Sequence, residues 1–505
     1  MMKLNGKSEK QHQSSFQRRQ LCAGGLRSKL FFWLSSLLVC AFVQSAAAQQ
    51  SVISTQKDAS GATLKMDSGS LRLQLYTDRA VRVIHTPNDK SAALDSLVLN
   101  GGETVPFDLN EQGDAVVLST AKMSVKVDKK SGRITFLDNA GNVLLEEPIG
   151  GGRSVKASTL HGEPTLAIEQ TFLSPKDEFL FGSGQFQDGE YNLRGVPRRL
   201  TQVNTQIAVP FFLSSKGYAL LWHNYGLTDL NPADEKISLS PGEVSDDAVT
   251  VDVTTTEGTR RDTRQSGVFG GRFTLDKAGS YAFLLDVGNS MATRWQIEVD
   301  GKTVFDFRNQ WLPPTTSWKM DLAAGTHTIT VRGDRRDNPS VFFRPEQDNL
   351  VLRSPVAEQL DYLFFAGTGD EVIGAYRTLT GAATLLPDWI FGYIHCRERF
   401  SSQEQLLENA REFRDRGLPM DVIVQDWQYW GKYGWNAMRF DEGYYPDPAK
   451  MVEELHDMDA RMMLSVWSKV DPNSELGKEF TAKGFYIPGT QWVDFFNPEA
   501  AAFYW

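Results

Sequence analysis

Residues 422–448 read VIVQDWQYWGKYGWNAMRFDEGYYPDP, and no other stretch limits the fold of the chain as tightly. It opens with an apolar run, Val422 to Val424, and turns within two residues into a carboxylate, Asp426, set among tryptophans and tyrosines. A strand that is apolar on successive residues is buried on both faces, which is the habit of parallel sheets flanked by helices. In a β/α barrel the chemistry gathers at the C-terminal ends of such strands. A carboxylate there can grip the hydroxyl rim of a sugar, and flat rings can cover its C–H faces. The stretch therefore predicts a sugar site on a barrel strand. The plainer reading of Asp426 is a helix cap or a loop salt bridge. The aromatic neighbours favour the binding one.

The surrounding pattern alternates strand and helix. Residues 389–396 (WIFGYIHC), 420–427 (MDVIVQDW) and 461–467 (RMMLSVW) predict strands. Residues 401–419, 447–460 and 473–484 predict helices, the first with a Ser N-cap and a Gly-Leu-Pro stop. Strand–helix alternation with apolar strands means a parallel sheet. A complete (β/α)8 barrel takes about 250 residues. This region starts near Leu386, so residues 378–505 are expected to hold the first half of one, incomplete at Trp505. The predicted strand ends deliver His395 and Arg397, then Asp426 and Trp427, then Trp467 and Lys469. All but Lys469, read as a solvated loop residue, are candidate sugar contacts. For Trp467 the rival reading is core packing. For His395 and Arg397 it is a local network with Glu398 or Glu404.

Upstream, the period is two. Residues 71–86 and 121–145 are short alternating runs broken by turns such as Lys129-Lys130-Ser131-Gly132. They predict an antiparallel β-sandwich over residues 49–240. A second β unit follows over residues 241–345, with tight turns at Ala278-Gly279 and Asp300-Gly301. Residues 346–377 resume the first style, so the second unit reads as an insertion into a sandwich loop.

Net charge is −10, and residues 1–48 carry a net +6, which leaves −16 for the rest. So acidic a body is a poor partner for nucleic acid or an anionic membrane surface. The basic start, the apolar core at residues 30–43 and Ala46-Ala47-Ala48 form a signal-peptide pattern, too short for a membrane span. Export to the periplasm, the cell surface or the medium is expected, with Cys40 a candidate for an outer-membrane lipid anchor. Only Cys396 lies outside that leader, so no intrachain disulfide is expected; it reads as packing or pocket lining. The scattered histidines show no metal-ligand spacing, and neither a nucleotide fingerprint nor a G-x-S-x-G elbow is present, so no cofactor is expected.

Taken together, several segments resemble glycoside hydrolase family thirty-one, the retaining α-glucosidases and α-xylosidases. LFGSGQFQDG (residues 180–189) is similar to the family's N-domain glycine loop, and VPFFLSSKGYALLWHN (209–224) to its hairpin. LLPDWIFGYIHCRERF (385–400) resembles the first barrel strand, QDWQYW the second-strand motif, and GTQWVDFFNPEA (489–500) the approach to strand four. The resemblance implies that Asp426 grips the sugar. It implies a retaining mechanism, with two catalytic carboxyls about 5–5.5 Å apart, both expected beyond Trp505. No nucleophile or acid/base is therefore assigned, and Asp441, Asp471 and Asp494 are not candidates. The inserted unit is similar to the protective-antigen-type module of some bacterial α-xylosidases, which makes Trp311 and Trp318 candidate sugar platforms beside the reading that they fill the module core. Large Trp427, and Gln428 where α-glucosidases commonly carry a second acid, tilt the expectation to an α-xylosidase acting on xyloglucan oligosaccharides. The alternatives are an α-glucosidase or α-transglycosylase, and an inactive carbohydrate-binding fragment. The oligomeric state is left open.

Overall fold

The computed structural model describes residues 50–87, 92–242, 248–255, 258–397 and 399–505. The leader with Cys40, and Glu398, lie outside the described residues.

The N-terminal part is antiparallel. An eight-stranded sheet runs, in spatial order, Val52–Asp58, Gly61–Met66, Ser70–Thr77, Ala80–Thr86, Leu360–Ala366, Tyr218–Trp222, Ile207–Ser214 and Leu180–Gln185. A five-stranded meander over residues 108–146 and a second five-stranded sheet accompany it. Trp222, Phe136, Phe172 and Tyr362 fill a common core. Met123–Asp128 alternates buried and half-exposed or exposed positions, as its period of two predicts.

Ala80–Thr86 and Leu360–Ala366 are buried on both faces. Leu360, Tyr362 and Phe364 face the sandwich core, whereas Leu363 and Phe365 face a helix, Gly369–Thr380, through its Val372, Ala375 and Leu379. The sequence reading carries the β style through this segment. A capping box between Thr368 and Glu371 starts a helix there instead.

The described strands between Glu235 and Pro345 build two further sheets around their own core of Trp295, Phe283, Trp318 and Ile329. The chain leaves the sandwich after Thr228–Leu230 and returns through Asn349–Ala357, and these two strands are paired neighbours, Leu230 beside Leu352. The unit is thus entered and left at one place. Arg199 meets Asp286 at 2.9 Å, and the Ser317 hydroxyl donates to the Pro197 carbonyl, so the unit is tied to the sandwich.

The C-terminal part is a parallel three-stranded sheet, Ile394–Cys396, Val422–Gln425 and Arg461–Leu464. The helices Gln403–Asp415, Pro448–Asp457 and Glu475–Lys483 alternate with the strands. Ser402, Asp447 and Ser474 cap them, each accepting a backbone N–H of the first turn. The strands are shorter than the sequence predicts. Residues 388–391 coil into a 3-10 turn after Pro387, and the first strand begins only at Ile394.

Candidate functional site

Register decides which side chains meet. His395 lies beside Ile423, and Cys396 beside Val424. The His395 ring packs 4.9 Å from Phe413 of the helix Gln403–Asp415, and Ile423 joins Leu406, Leu407 and Ala410 in the same core. This is the helix-covered face. Side chains alternate along a strand, so Cys396, Val424 and, two residues on, Asp426 share the other face.

Asp426 follows the last residue of the second strand and is half-buried at the C-terminal rim. Gln425 before it is fully buried, and its amide donates to the Trp427 carbonyl at 3.3 Å, bracing the turn around the acid. Gln425 is held in turn at 3.0 Å from the Tyr445 hydroxyl, which donates to the Phe400 carbonyl. At Gln428 the backbone turns through a φ of 65°, and its side-chain oxygen accepts from Arg399.

An indole cluster stands beside this rim. Trp427 meets Trp435 edge to face at 5.1 Å; Trp467 meets Trp430 at 5.5 Å and Trp435 at 5.4 Å. Trp430 is buried and anchors the group, whereas Trp427, Trp435 and Trp467 are half-buried. The indole N–H groups of Trp427 and Trp435 are enclosed without a hydrogen-bond acceptor. Trp467 follows the third strand, and its carbonyl accepts from the Tyr504 hydroxyl at 2.6 Å and from Asn436. It is therefore both packed and partly open, which joins the two readings of it.

Two expected contacts lie away from Asp426. His395 points at the helix layer, where burial, and then the Arg397 charge, push its imidazole below the usual range. Arg397 is exposed, with its guanidinium 5.4 Å over the Phe400 ring, on the His395 side. Neither shares the Asp426 face. In the unit between Glu235 and Pro345 Trp318 is 2 % exposed and stacks on Phe283 at 5.0 Å, so it offers no face to a sugar. Trp311 is 36 % exposed, and its carbonyl accepts from Thr205 of the sandwich. Asp441, Asp471 and Asp494 are spent on nearby backbone N–H groups, those of Gly443, Asn473 and Phe496 among them. Gln425, Tyr445, Arg399 and Asn436 support the site and were not singled out by the sequence reading. A glutamine closing an apolar run was the available signal for the first.

Among the described residues, no group of three or more His, Cys, Asp or Glu could hold a metal, and no helix is long and apolar enough to cross a membrane.

Two family models match the chain. Residues 70–231 match the glycosyl hydrolase 31 N-terminal galactose mutarotase-like domain, and residues 383–505 the glycosyl hydrolases family 31 TIM-barrel domain. The chain is 27 % identical to an α-xylosidase of Saccharolobus solfataricus over 88 % of its own length and 46 % of that protein. It is 21 % identical to α-glucosidase 2 of Bacillus thermoamyloliquefaciens, over 86 % of its own length and 43 % of that one. The crystal structure of a family 31 α-xylosidase from Xanthomonas citri superimposes with a TM-score of 0.75 at 31 % identity, covering 89 % of this chain and 55 % of that one. The chain spans about half the length of these three relatives.

Proposed function

Because the chain belongs to glycoside hydrolase family 31, we propose that the whole protein is a retaining α-xylosidase that releases α-linked xylose from xyloglucan oligosaccharides. The observation that carries this is Asp426, half-buried at the rim of a parallel strand beside a cluster of four indoles. A carboxylate so placed accepts two neighbouring sugar hydroxyls, and such charge-assisted bonds are stronger than neutral ones. The indoles supply flat apolar area for the C–H face of the ring. No residue of the described chain is assigned as nucleophile or acid/base.

Xylose differs from glucose by the absence of a hydroxymethyl group at C5. The bulk of Trp427, adjacent to Asp426, excludes that group, and Gln428 stands where a second acid would favour a glucoside. Discrimination by one such group is worth about 1–3 kcal/mol. The likeness to an α-xylosidase at 31 % identity supports this preference. The second reading is an α-glucosidase or transglycosylase, favoured by the likeness to an α-glucosidase.

In the same reading, residues 241–345 are a protective-antigen-type module that lengthens the cleft, with Trp311 its exposed aromatic platform. Residues 1–48 direct export, and Cys40 is a candidate for lipidation.

The test is kcat/KM of the whole protein on p-nitrophenyl α-xyloside against the α-glucoside. Preference for the xyloside is expected. Preference for the glucoside moves the assignment to the second reading, and cleavage of neither removes both.

A further inference from the structure

We propose that a cavity between the N-terminal sandwich and the second β unit is a further binding site, for one neutral sugar ring. The proposal does not rest on the reading of Asp426, because none of its residues belongs to the parallel sheet.

The first argument is register. Across four strands of the second five-stranded sheet, Glu169 lies beside Arg353, Arg353 beside Asp229, and Asp229 beside Arg199. Cross-strand partners share a face, so this row alternates acid and base along one face of the sheet. The opposing wall comes from the second β unit, where Leu284 and Phe342 are cross-strand partners. Phe283, Leu285, Val341 and Phe343 fill the core of that unit, so Leu284 and Phe342 look out of it. A cavity of about 210 Å3 lies there, lined by Arg199, Asp229, Arg353, Leu284 and Phe342.

The second argument is hydrogen-bonding capacity. All three nitrogens of Arg353 are engaged, on Glu169 and on both oxygens of Asp234. Arg198, which also lines the cavity, is engaged through all three by Asp188, Ser183 and the Glu190 carbonyl. Arg199 is not. Its Nε donates to Asp229 Oδ1 at 3.0 Å and its Nη1 to Asp286 at 2.9 Å, while its Nη2 meets no acceptor among the described residues. The Oδ2 of Asp229 likewise accepts nothing from them. A base with a donor to spare therefore stands beside an acid with an acceptor to spare. Asp229, Asp234 and Asp286 each hold a guanidinium, so the cavity offers no unpaired acid to a cation. The pair instead matches a neutral vicinal diol. One hydroxyl donates to Asp229 Oδ2 and its neighbour accepts from Arg199, both charge-assisted bonds. Leu284 and Phe342 supply apolar area for the C–H face of the ring. Pockets for drug-sized ligands enclose about 300–1,000 Å3, so this smaller one takes about a single ring.

The test is equilibrium dialysis of the whole protein against radiolabelled xylose, with a xylose-soaked crystal to locate the sugar. The crystal is expected to show a ring between the Arg199–Asp229 pair and the Leu284–Phe342 wall. In dialysis Asp229→Asn, which keeps the size of the side chain, is expected to weaken one bound equivalent about tenfold or more. Leu284→Phe, which fills the cavity, is expected to remove that equivalent. Asp426→Ala is run alongside and is expected to remove a different one, so the two readings fail separately. If Asp426→Ala binds as the parent does while Asp229→Asn loses an equivalent, only the Asp426 reading falls. An Asp229→Asn isotherm that matches the parent's overturns the proposal. It does so even where the crystal shows a ring, which is then binding at crystal concentration only. A loss confined to Leu284→Phe reports disturbed packing and counts against the site as well. A soaked crystal whose cavity holds only water also overturns it.

Discussion

Asn436 brackets Trp467: its side-chain amide donates to the Trp467 carbonyl, and its side-chain oxygen accepts from the Trp467 backbone N–H at 3.3 Å. The same amide reaches the Lys469 carbonyl at 3.1 Å. One buried side chain thereby ties the long loop after the second strand to the end of the third. It does so from a backbone φ of 52°, a left-handed conformation that asparagine tolerates better than most residues. The indole cluster is consequently held by polar bonds as well as by ring packing.

Replacing Asn436 by Leu should therefore damage the site and the fold together. Buried polar groups left without partners cost about 1–3 kcal/mol each, and a branched apolar residue fits a positive φ poorly. A lowered Tm and a raised KM are expected. Asn436→Gly relieves the backbone but not the lost bonds, so it should recover only part of the stability. Equal Tm for all three proteins would show that the bracket carries no weight.

Asp426→Asn keeps the size of the side chain and removes its charge. Hydrogen bonds to a charged group contribute about 1.5–3 kcal/mol, so sugar affinity should fall roughly tenfold to a hundredfold. Tm should change little, because the acid sits at the rim and not in the core. Calorimetric titration with xylose reads the affinity, and an unchanged Kd would remove Asp426 from the site.

Much of this arrangement is legible in the sequence. The change of period near Thr378, together with the Ser N-cap and Gly-Leu-Pro stop of the first helix, announces the parallel unit. Asp426 is legible because an apolar strand ends where it begins. The parity of the first strand was not. Ile394, His395 and Cys396 are each compatible with either face when both faces of a parallel strand are covered, so the alternation that separates His395 from Cys396 could not say which looks inward. Only the packing of His395 on Phe413 fixes it. The helix Gly369–Thr380 was missed although Gly367-Thr368-Gly369-Asp370-Glu371 interrupts the apolar run and Thr368 with Glu371 spells a capping box. Trp318 and Trp311 read alike in sequence and part only when the core of the second β unit closes around the first.

That last contrast makes a direct comparison. Trp318→Ala empties a fully packed position and should cost about 3–5 kcal/mol, enough to melt the second β unit early in a thermal scan. Trp311→Ala should leave the scan nearly unchanged and lower affinity only for longer oligosaccharides. Loss of stability in both variants would make Trp311 a packing residue too.

Trp427→Ala tests the exclusion argument. If the indole keeps out the C5 hydroxymethyl group, the ratio of kcat/KM for the α-glucoside over the α-xyloside should rise by about tenfold, within the range one small group commands. Because the Trp427 ring also packs on Trp435 at 5.1 Å, the absolute rates on both substrates should fall. A ratio that stays constant while both rates fall would assign Trp427 to packing alone.

His85 predicts an acid limit for the sandwich. Its ring is buried, with Nε2 3.3 Å from the Gln50 amide nitrogen, and burial and then the Arg153 charge hold its pKa down to about 3. In the unfolded chain it returns to the ordinary value of about 6.5. The folded state therefore binds this proton less readily than the unfolded one. Its contribution to stability is fully present above pH ~6.5 and is lost as pH falls toward about 3, at no more than about 1.4 kcal/mol per pH unit for one proton. Replacing His85 by Gln removes the titration while keeping a polar side chain beside Gln50. The parent protein should lose Tm more steeply than the His85→Gln variant across that window, and the two curves should run parallel above it. Parallel curves throughout would show that the ring is protonated or hydrated in the folded protein and carries no such linkage.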